Sequence, residues 1–190
     1  MKIETLKAIV NMFNAASADE TRFVLNHVRM TSPEKGKVLL QASDGYVLSE
    51  VILEDETLAS DIGKMEYAVA PHSVPYLKLT LKACKHQSEI NHVKQTDDDS
   101  IVVADGNASA KISKARNGSI EFPDFERVKV MPKEDAFTIG LNVEYLENLL
   151  KSMRSDSRQK VVKLTFGENN LSPVKVEVAD QAGLIMPCRV

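Results

Sequence analysis

Gly183-Leu184-Ile185-Met186-Pro187-Cys188-Arg189-Val190 reads as an apolar strand that breaks at a proline. Chain ends are more often polar and frayed, so this segment is expected to be held against something. Just before it, Val174, Val176 and Val178 alternate with Lys175 and Glu177, the period-two mark of a half-buried strand. Val161 to Phe166 reads as a further strand. Upstream, the spacing predicts a helix from about Val143 to Ser155 with Asn142 as its N-cap. Val143, Leu146, Leu150 and Met153 are expected to face the core, with Leu149 beside them. The last part of the chain is therefore a helix followed by strands.

The same rhythm occurs twice before it. A first helix is predicted from Thr5 to Ala16, since Leu6, Ile9, Val10 and Phe13 recur at helical spacing. Phe23 to Met30, Lys37 to Ala42 and Tyr46 to Leu53 read as strands, separated by turn signals at Pro33-Glu34-Lys35-Gly36 and Ser43-Asp44-Gly45. A second helix is predicted from Ser73, as N-cap, to His86, with Pro75 in its first turn. Val74, Leu77, Leu81 and Cys84 form its apolar face, and Lys78, Lys82 and Lys85 form a basic one. Glu89 to Lys94, Ser100 to Ala104 and Ala108 to Ser113 follow as strands, with turns at Thr96-Asp97-Asp98-Asp99 and Asp105-Gly106-Asn107. One strand–helix–strands unit is thus used three times, as a repeat of pattern rather than of sequence. The expected class is α+β, with helices on one face of antiparallel sheets. Residues 1–122 make a complete two-unit domain and 123–190 a half-domain with no partner within the chain.

Composition narrows the function. At 190 residues with 43% apolar content, the chain can bury one good core, or one core and a smaller one. A net charge of -3 gives no global basic field to attract nucleic acid. Cys84 and Cys188 share no metal spacing and make no disulfide framework, so a reduced, cytoplasmic protein is expected. The start of the chain has no signal-peptide layout. No apolar run approaches the ~20 residues of a membrane span. His27, His72, His86 and His92 lack zinc-ligand spacing. Neither cysteine has a recognisable base partner, and no Gly-rich phosphate loop is present. Asp97-Asp98-Asp99 reads as a solvated hairpin. The expectation is a protein with no catalytic site, cofactor or metal.

Three segments, in order, carry a resemblance. They are Leu39-Leu40-Gln41-Ala42-Ser43-Asp44-Gly45-Tyr46-Val47-Leu48, Phe122-Pro123-Asp124-Phe125-Glu126-Arg127-Val128, and the 183–190 segment. Together they resemble the bacterial sliding clamp, the beta subunit of DNA polymerase III. Residues 1 to about 122 look like its middle domain. Ala42-Ser43-Asp44-Gly45-Tyr46-Val47-Leu48 is similar to the family's Ala-Thr-Asp-Gly-x-Arg-Leu turn. Phe122 to Val128 resembles the join to the last domain, and Ile139 to Leu146 the second half of that domain. Met186-Pro187-Cys188-Arg189-Val190 resembles the Met-Pro-Met-Arg-Leu ending. The likeness covers nearly the whole chain, as a shortened clamp without the first domain and the first half of the last.

The resemblance implies a DNA-clamp-like fold and a non-catalytic processivity factor of DNA replication. Its implied partners are DNA polymerase and other proteins carrying clamp-binding peptides, and double-stranded DNA held without sequence specificity by a homo-oligomeric ring. The implied peptide pocket comprises Leu25, Ser43, Gly45, Tyr46, Leu48, Pro123, Val128, Leu184, Met186, Pro187, Cys188 and Arg189. Leu48, Val128, Leu184 and Met186 would form its apolar floor. Met186 is soft enough to accept varied side chains, and Arg189 can pair with polar peptide groups. Two departures bear on partner choice: Val47 stands where the family has a basic residue, and Cys188 where it has methionine. The implied DNA-facing residues are Lys78, Lys82, Lys85, Lys151, Arg154 and Arg158, which would meet phosphates rather than bases. Each pocket residue could instead be plain core, and each lysine stripe a solvated helix face. The competing expectation is a clamp-derived module that never encircles DNA and binds clamp-binding peptides as a decoy or regulator.

Overall fold

The computed structural model describes residues 1–84, 90, 92–95, 101–105, 108–114, 120–128, 138–153 and 161–189. The chain divides into two compact units, Met1–Lys129 and Val130–Val190. The predicted turns at Thr96–Asp99 and Gly106–Asn107, and the predicted helix ends at His86 and Ser155, lie outside the described residues.

In the first unit the order is α1 (Ile3–Met12), β1 (Val28–Thr31), β2 (Lys37–Ser43), β3 (Leu48–Glu54), α2 (Glu56–Ile62) and β4 (Tyr67–Val69). A single 3-10 turn then leads into α3 (Val74–Ala83), β5 (His92–Gln95), β6 (Ile101–Asp105), β7 (Ala108–Lys114) and the short α4 (Phe125–Val128). The seven strands form one sheet in the order β3-β2-β1-β4-β7-β6-β5, and every pairing is antiparallel. Two strand–helix–strands halves are joined by β4, which precedes α3 in sequence yet lies between β1 and β7. Met30 faces Tyr67 across one edge of β4, and Tyr67 faces Lys114 across the other. At the far side, the Ile90 N–H donates to the Met1 carbonyl at 2.9 Å.

Both long helices bury apolar stripes in one core. Leu6 and Ile9 of α1 and Leu77 of α3 meet Val28, Met30, Leu40, Tyr67, Ile101 and Ile112 from the sheet. Thr80 is buried within α3 because its hydroxyl donates to the Tyr76 carbonyl at 3.0 Å, which satisfies the polar group where it sits.

The structure departs from the expected elements of the first unit at several places. The segment expected as a strand from Phe23 is a compact turn, and β1 begins only at Val28. Asp19 Oδ1 accepts the Thr21 N–H at 2.9 Å, and the Arg22 carbonyl then accepts from both Leu25 and Asn26. This local capping overrides the strand propensity of Phe23 and Val24. The first helix stops at Met12 rather than Ala16. Helix α2 and strand β4 were not expected at all; α2 is capped by Asp55, whose side chain accepts from the Leu58 N–H. Ser73 does not cap α3: its hydroxyl donates instead to the Lys111 carbonyl at 3.2 Å.

In the second unit, α5 (Val143–Ser152) packs on a three-stranded antiparallel sheet of β8 (Val162–Thr165), β9 (Val174–Val178) and β10 (Gln181–Ile185), in the order β10-β9-β8. Asn142 Oδ1 accepts the Tyr145 N–H at 3.1 Å and caps α5 as expected. The core is small: Met153, Val174, Val176 and Ile185 are buried, with Leu146, Leu149 and Leu150 only partly so. A Cβ on Gly183 would stand 2.5 Å from Met153 Cε and 2.8 Å from Leu149 Cδ1, so glycine lets the helix lie close on β10. Val143, expected in the core, is 77% exposed. Helical periodicity assumes that something covers the apolar stripe, and no described residue of this unit covers the first turn of α5.

Candidate functional site

Five of the implied pocket residues gather on the first unit. The β2–β3 hairpin turns through Asp44, Gly45 and Tyr46. Asp44 Oδ1 accepts the N–H groups of Tyr46 at 2.8 Å and Val47 at 2.7 Å, and these bonds hold the Asp44 carboxyl below the usual carboxylate range, the Val47 N–H most strongly. Ser43 Oγ accepts the Gly45 N–H at 3.1 Å. Gly45 has φ +91°, a backbone region that L side chains rarely adopt. A Cβ there would lie 3.3 Å from Arg22 Nη1 and 3.8 Å from Leu25 Cδ1. The hairpin tip therefore rests on the 22–25 turn, bringing Leu25 to Gly45. Tyr46 is 88% exposed, and Leu48 is half-buried opposite Ser43. Pro123 is exposed on the segment leading into α4; the side chain of Val128 lies outside the described residues.

Arg22 belongs to this patch, although sequence reasoning passed over it. Its Nη1 donates to the Asp44 carbonyl at 3.0 Å. The valine at 47 implied a turn without its usual cation, and Arg22 brings a guanidinium back to that turn. The contact joins residues 22 positions apart, so no local pattern announces it.

His27 anchors the same turn from below. It is buried, its Nδ1 donates to the Phe23 carbonyl at 2.8 Å, and its ring stands edge-on to Phe23 at 4.7 Å. Burial pushes its pKa below the ordinary value, against the opposing pull of the Phe23 carbonyl. A base with a depressed folded pKa binds fewer protons folded than unfolded. Its contribution to stability is complete above the unfolded value of about 6.5 and is lost as pH falls toward the folded value. Acidification from pH 7 to 5 is therefore expected to loosen the turn carrying Leu25. Histidine titration by NMR, with amide exchange of residues 22–27, checks this; a His27 midpoint at or above the ordinary value would sink it.

On the second unit, Leu184 is 68% and Met186 61% exposed, while Ile185 between them is buried. Strand alternation turns the two outward and Ile185 into the core. Pro187 is half-buried, and Cys188 and Arg189 are exposed. The segment is pinned, because the Cys188 N–H donates to the Gly140 carbonyl at 2.8 Å.

The basic residues are described only in part. Lys78 and Lys82 are exposed on α3, and Lys7 adds a third exposed lysine on α1. Lys7 sits between the buried Leu6 and Ile9, so the α1 periodicity already placed it outward. Lys151 is exposed but pairs with Glu147 at 2.7 Å. Lys85, Arg154 and Arg158 lie outside the described residues. Among the described residues no three His, Cys, Asp or Glu side chains gather as a metal site, and no helix is long and apolar enough to cross a membrane.

No family model matches the sequence, and no curated protein does. Solved structures match over nearly the whole chain. The beta sliding clamp of C. crescentus superposes with a TM-score of 0.71 at 19% identity, covering 98% of this chain and 49% of that one. The beta chain of DNA polymerase III from Streptococcus pneumoniae gives 0.68 at 19% identity, covering 100% of this chain and 48% of its own. The sliding clamp of Bartonella birtlesii, solved bound to griselimycin, gives 0.68 at 21% identity, with 100% and 51% covered. The chain has the sliding-clamp fold and spans about half the length of these structures.

Proposed function

We propose that this chain is a sliding-clamp-like replication factor. It tethers polymerases or repair proteins by gripping short linear peptides, and it surrounds DNA as a homo-oligomeric ring. The observation that carries the reading is the outward face of the 184–189 segment, within a sliding-clamp fold. Leu184 and Met186 are exposed apolar residues on a strand that is itself pinned, so they cost the core nothing and remain free to bind. The first unit, by itself, carries an apolar, partly exposed surface of Leu25, Gly45, Tyr46 and Leu48, with Arg22 beside it for polar peptide groups. Tethering raises the local concentration of a bound polymerase at its template without any new chemistry, and the reading assigns no catalytic step to the chain.

Lys7, Lys78 and Lys82 suit the DNA side of this function. Exposed lysines on helices contact phosphates and carry no sequence information. With a net charge of -3, attraction to DNA would be confined to such helix faces.

Griselimycin, the ligand of the Bartonella birtlesii clamp, is the first probe. Calorimetric titration is expected to show saturable binding at one site per chain. Absence of binding, both for griselimycin and for a linear peptide with two large apolar side chains, would overturn the peptide reading. Retention on closed circular DNA, lost on linearising it, is expected of a ring. Peptide binding with no such retention would instead support the non-encircling decoy or regulator.

A further inference from the structure

Strands β1 and β8 hold equivalent places in their units, each being the first strand after a helix. Their sequences run in parallel: Val28-Arg29-Met30-Thr31 and Val162-Lys163-Leu164-Thr165. Each pairs with the next strand, and in each an apolar residue faces a buried partner: Met30 opposite Leu40 and Leu164 opposite Val176. Residues opposite each other on antiparallel strands share a face, so Leu164 points to the side of the sheet that α5 covers. Their burial nevertheless differs. Val28 and Met30 are fully buried, whereas Val162 and Leu164 are each 41% exposed.

The difference lies on the other edge. In the first unit, the free edge of β1 is filled by β4, the strand that precedes α3 in the sister half, with Val28 opposite Val69 and Met30 opposite Tyr67. β4 is also paired to β7. In the second unit the described part of the segment before α5 makes the equivalent of that second pairing, through Gly140 and Cys188. Among the described residues, β8 pairs with β9 alone. Among the described residues, the unit thus carries one unfilled edge on β8 and one pre-helix segment paired on a single side. In the first unit these two features satisfy each other between sister halves at β1, whereas β5, the first strand after α3, ends the sheet.

We infer that β8 is an interface strand, and that its occupant is the Ile139–Leu141 segment of a second copy of this chain. The pairing is reciprocal: each copy gives its pre-helix segment and receives the other's, as a two-fold axis requires. The helix supports the same partner. α1 buries five of its residues, whereas no residue of α5 is fully buried, and Val143 and Tyr145 at its start are exposed. A second α5, placed as α3 is beside α1, would cover that stripe. An apolar edge strand left open is an aggregation liability that proteins normally blunt with charge or proline. β8 carries one charge, Lys163, whose exposed side chain lies 3.8 Å from Glu177 on β9, away from the free edge.

The inference rests on strand pairing and not on the proposed function. Self-association through β8 without peptide binding or DNA retention would support it while overturning that function. The test is light-scattering mass of the full chain over a dilution series, with amide exchange read at residues 162–165. The expected result is a mass of two or more chains at high concentration, with β8 amides protected only in the assembled form. Leu164→Asp is expected to raise the dissociation constant by roughly tenfold or more. Tyr145→Glu, at a position 65% exposed in the single copy, is expected to act the same way without touching the core, should Leu164→Asp unfold the unit. A single-chain mass throughout would overturn the inference, whether the β8 amides are protected or free. So would self-association that neither variant weakens, or that leaves β8 exchanging freely.

Discussion

Met186→Asp is expected to lower the affinity for an apolar linear peptide about 30-fold, while leaving the urea midpoint of the chain nearly unchanged. The two halves of that expectation come from one geometry. Met186 is 61% exposed and follows the buried Ile185, so its side chain contributes to binding rather than to packing. Exposed substitutions of this kind usually shift stability by no more than about 0.5 kcal/mol. An anchor side chain at the centre of a peptide site is worth about 2 kcal/mol, which is about 30-fold in affinity. A buried carboxylate in place of the thioether would add a desolvation cost. Leu171→Asp is the control, since Leu171 is also exposed but lies in the turn before β9. Fluorescence polarisation with a labelled peptide separates the two. Equal affinity for the Met186 variant and the parent would remove the 184–189 segment from the binding site.

The second large effect concerns stability. Asp55 is almost fully buried and works for two helices at once. Its Oδ2 accepts the Lys2 N–H at 2.7 Å and the Thr5 hydroxyl at 2.8 Å, and its Oδ1 accepts the Leu58 N–H at 3.1 Å. It caps α2 and ties the start of α1 to the end of β3, across 50 residues of chain. Asp55→Ala leaves three donors without their acceptor, at least two of them shielded from water. Losing a cap costs about 1 kcal/mol, and hydrogen bonds to a charged acceptor are worth about 1.5–3 kcal/mol each. Removing the carboxylate also relieves its own desolvation, so a net loss of about 3 kcal/mol is expected. Asp55→Asn should lose less, because its one carbonyl oxygen keeps part of the network. Urea unfolding followed by circular dichroism measures both. An alanine variant as stable as the parent would mean that water replaces the carboxylate.

Elements that depend on their own residues were legible before the structure. The alternation at 174–178 marked β9, Asn142 marked the start of α5, and the Ser43-Asp44-Gly45 run marked the hairpin. Helix α2 was hidden because seven residues hold too few turns for periodicity to show. Asp55 followed by Leu58 and Ile62 is the signal that could have found it. Phe23 and Val24 misled by their β-propensity, which Asp19 overrides from four residues upstream. The outward tail residues were named through the resemblance, whereas Arg22 was not, since its partner Asp44 is reached only through the fold. Val143 shows the opposite limit: its apolar character was legible, but its exposure, with no covering neighbour among the described residues of its unit, was not.

The seating of β4 between β1 and β7 has a consequence for the nascent chain. As the polypeptide leaves the ribosome, α1, β1, β2 and β3 emerge first and together hold three of the sheet's seven strands. The edge of β1 stays open until Tyr67–Val69 has appeared, and β4 in turn stays half-paired until the chain has been made through Lys114. Until the chain has been made through Lys114, an intermediate of the first unit therefore lacks at least one pairing that the finished sheet makes around β4. The growing chain carries an exposed, apolar strand edge for most of the time that this unit takes to synthesise, which is when a chaperone or a neighbouring nascent chain would find it.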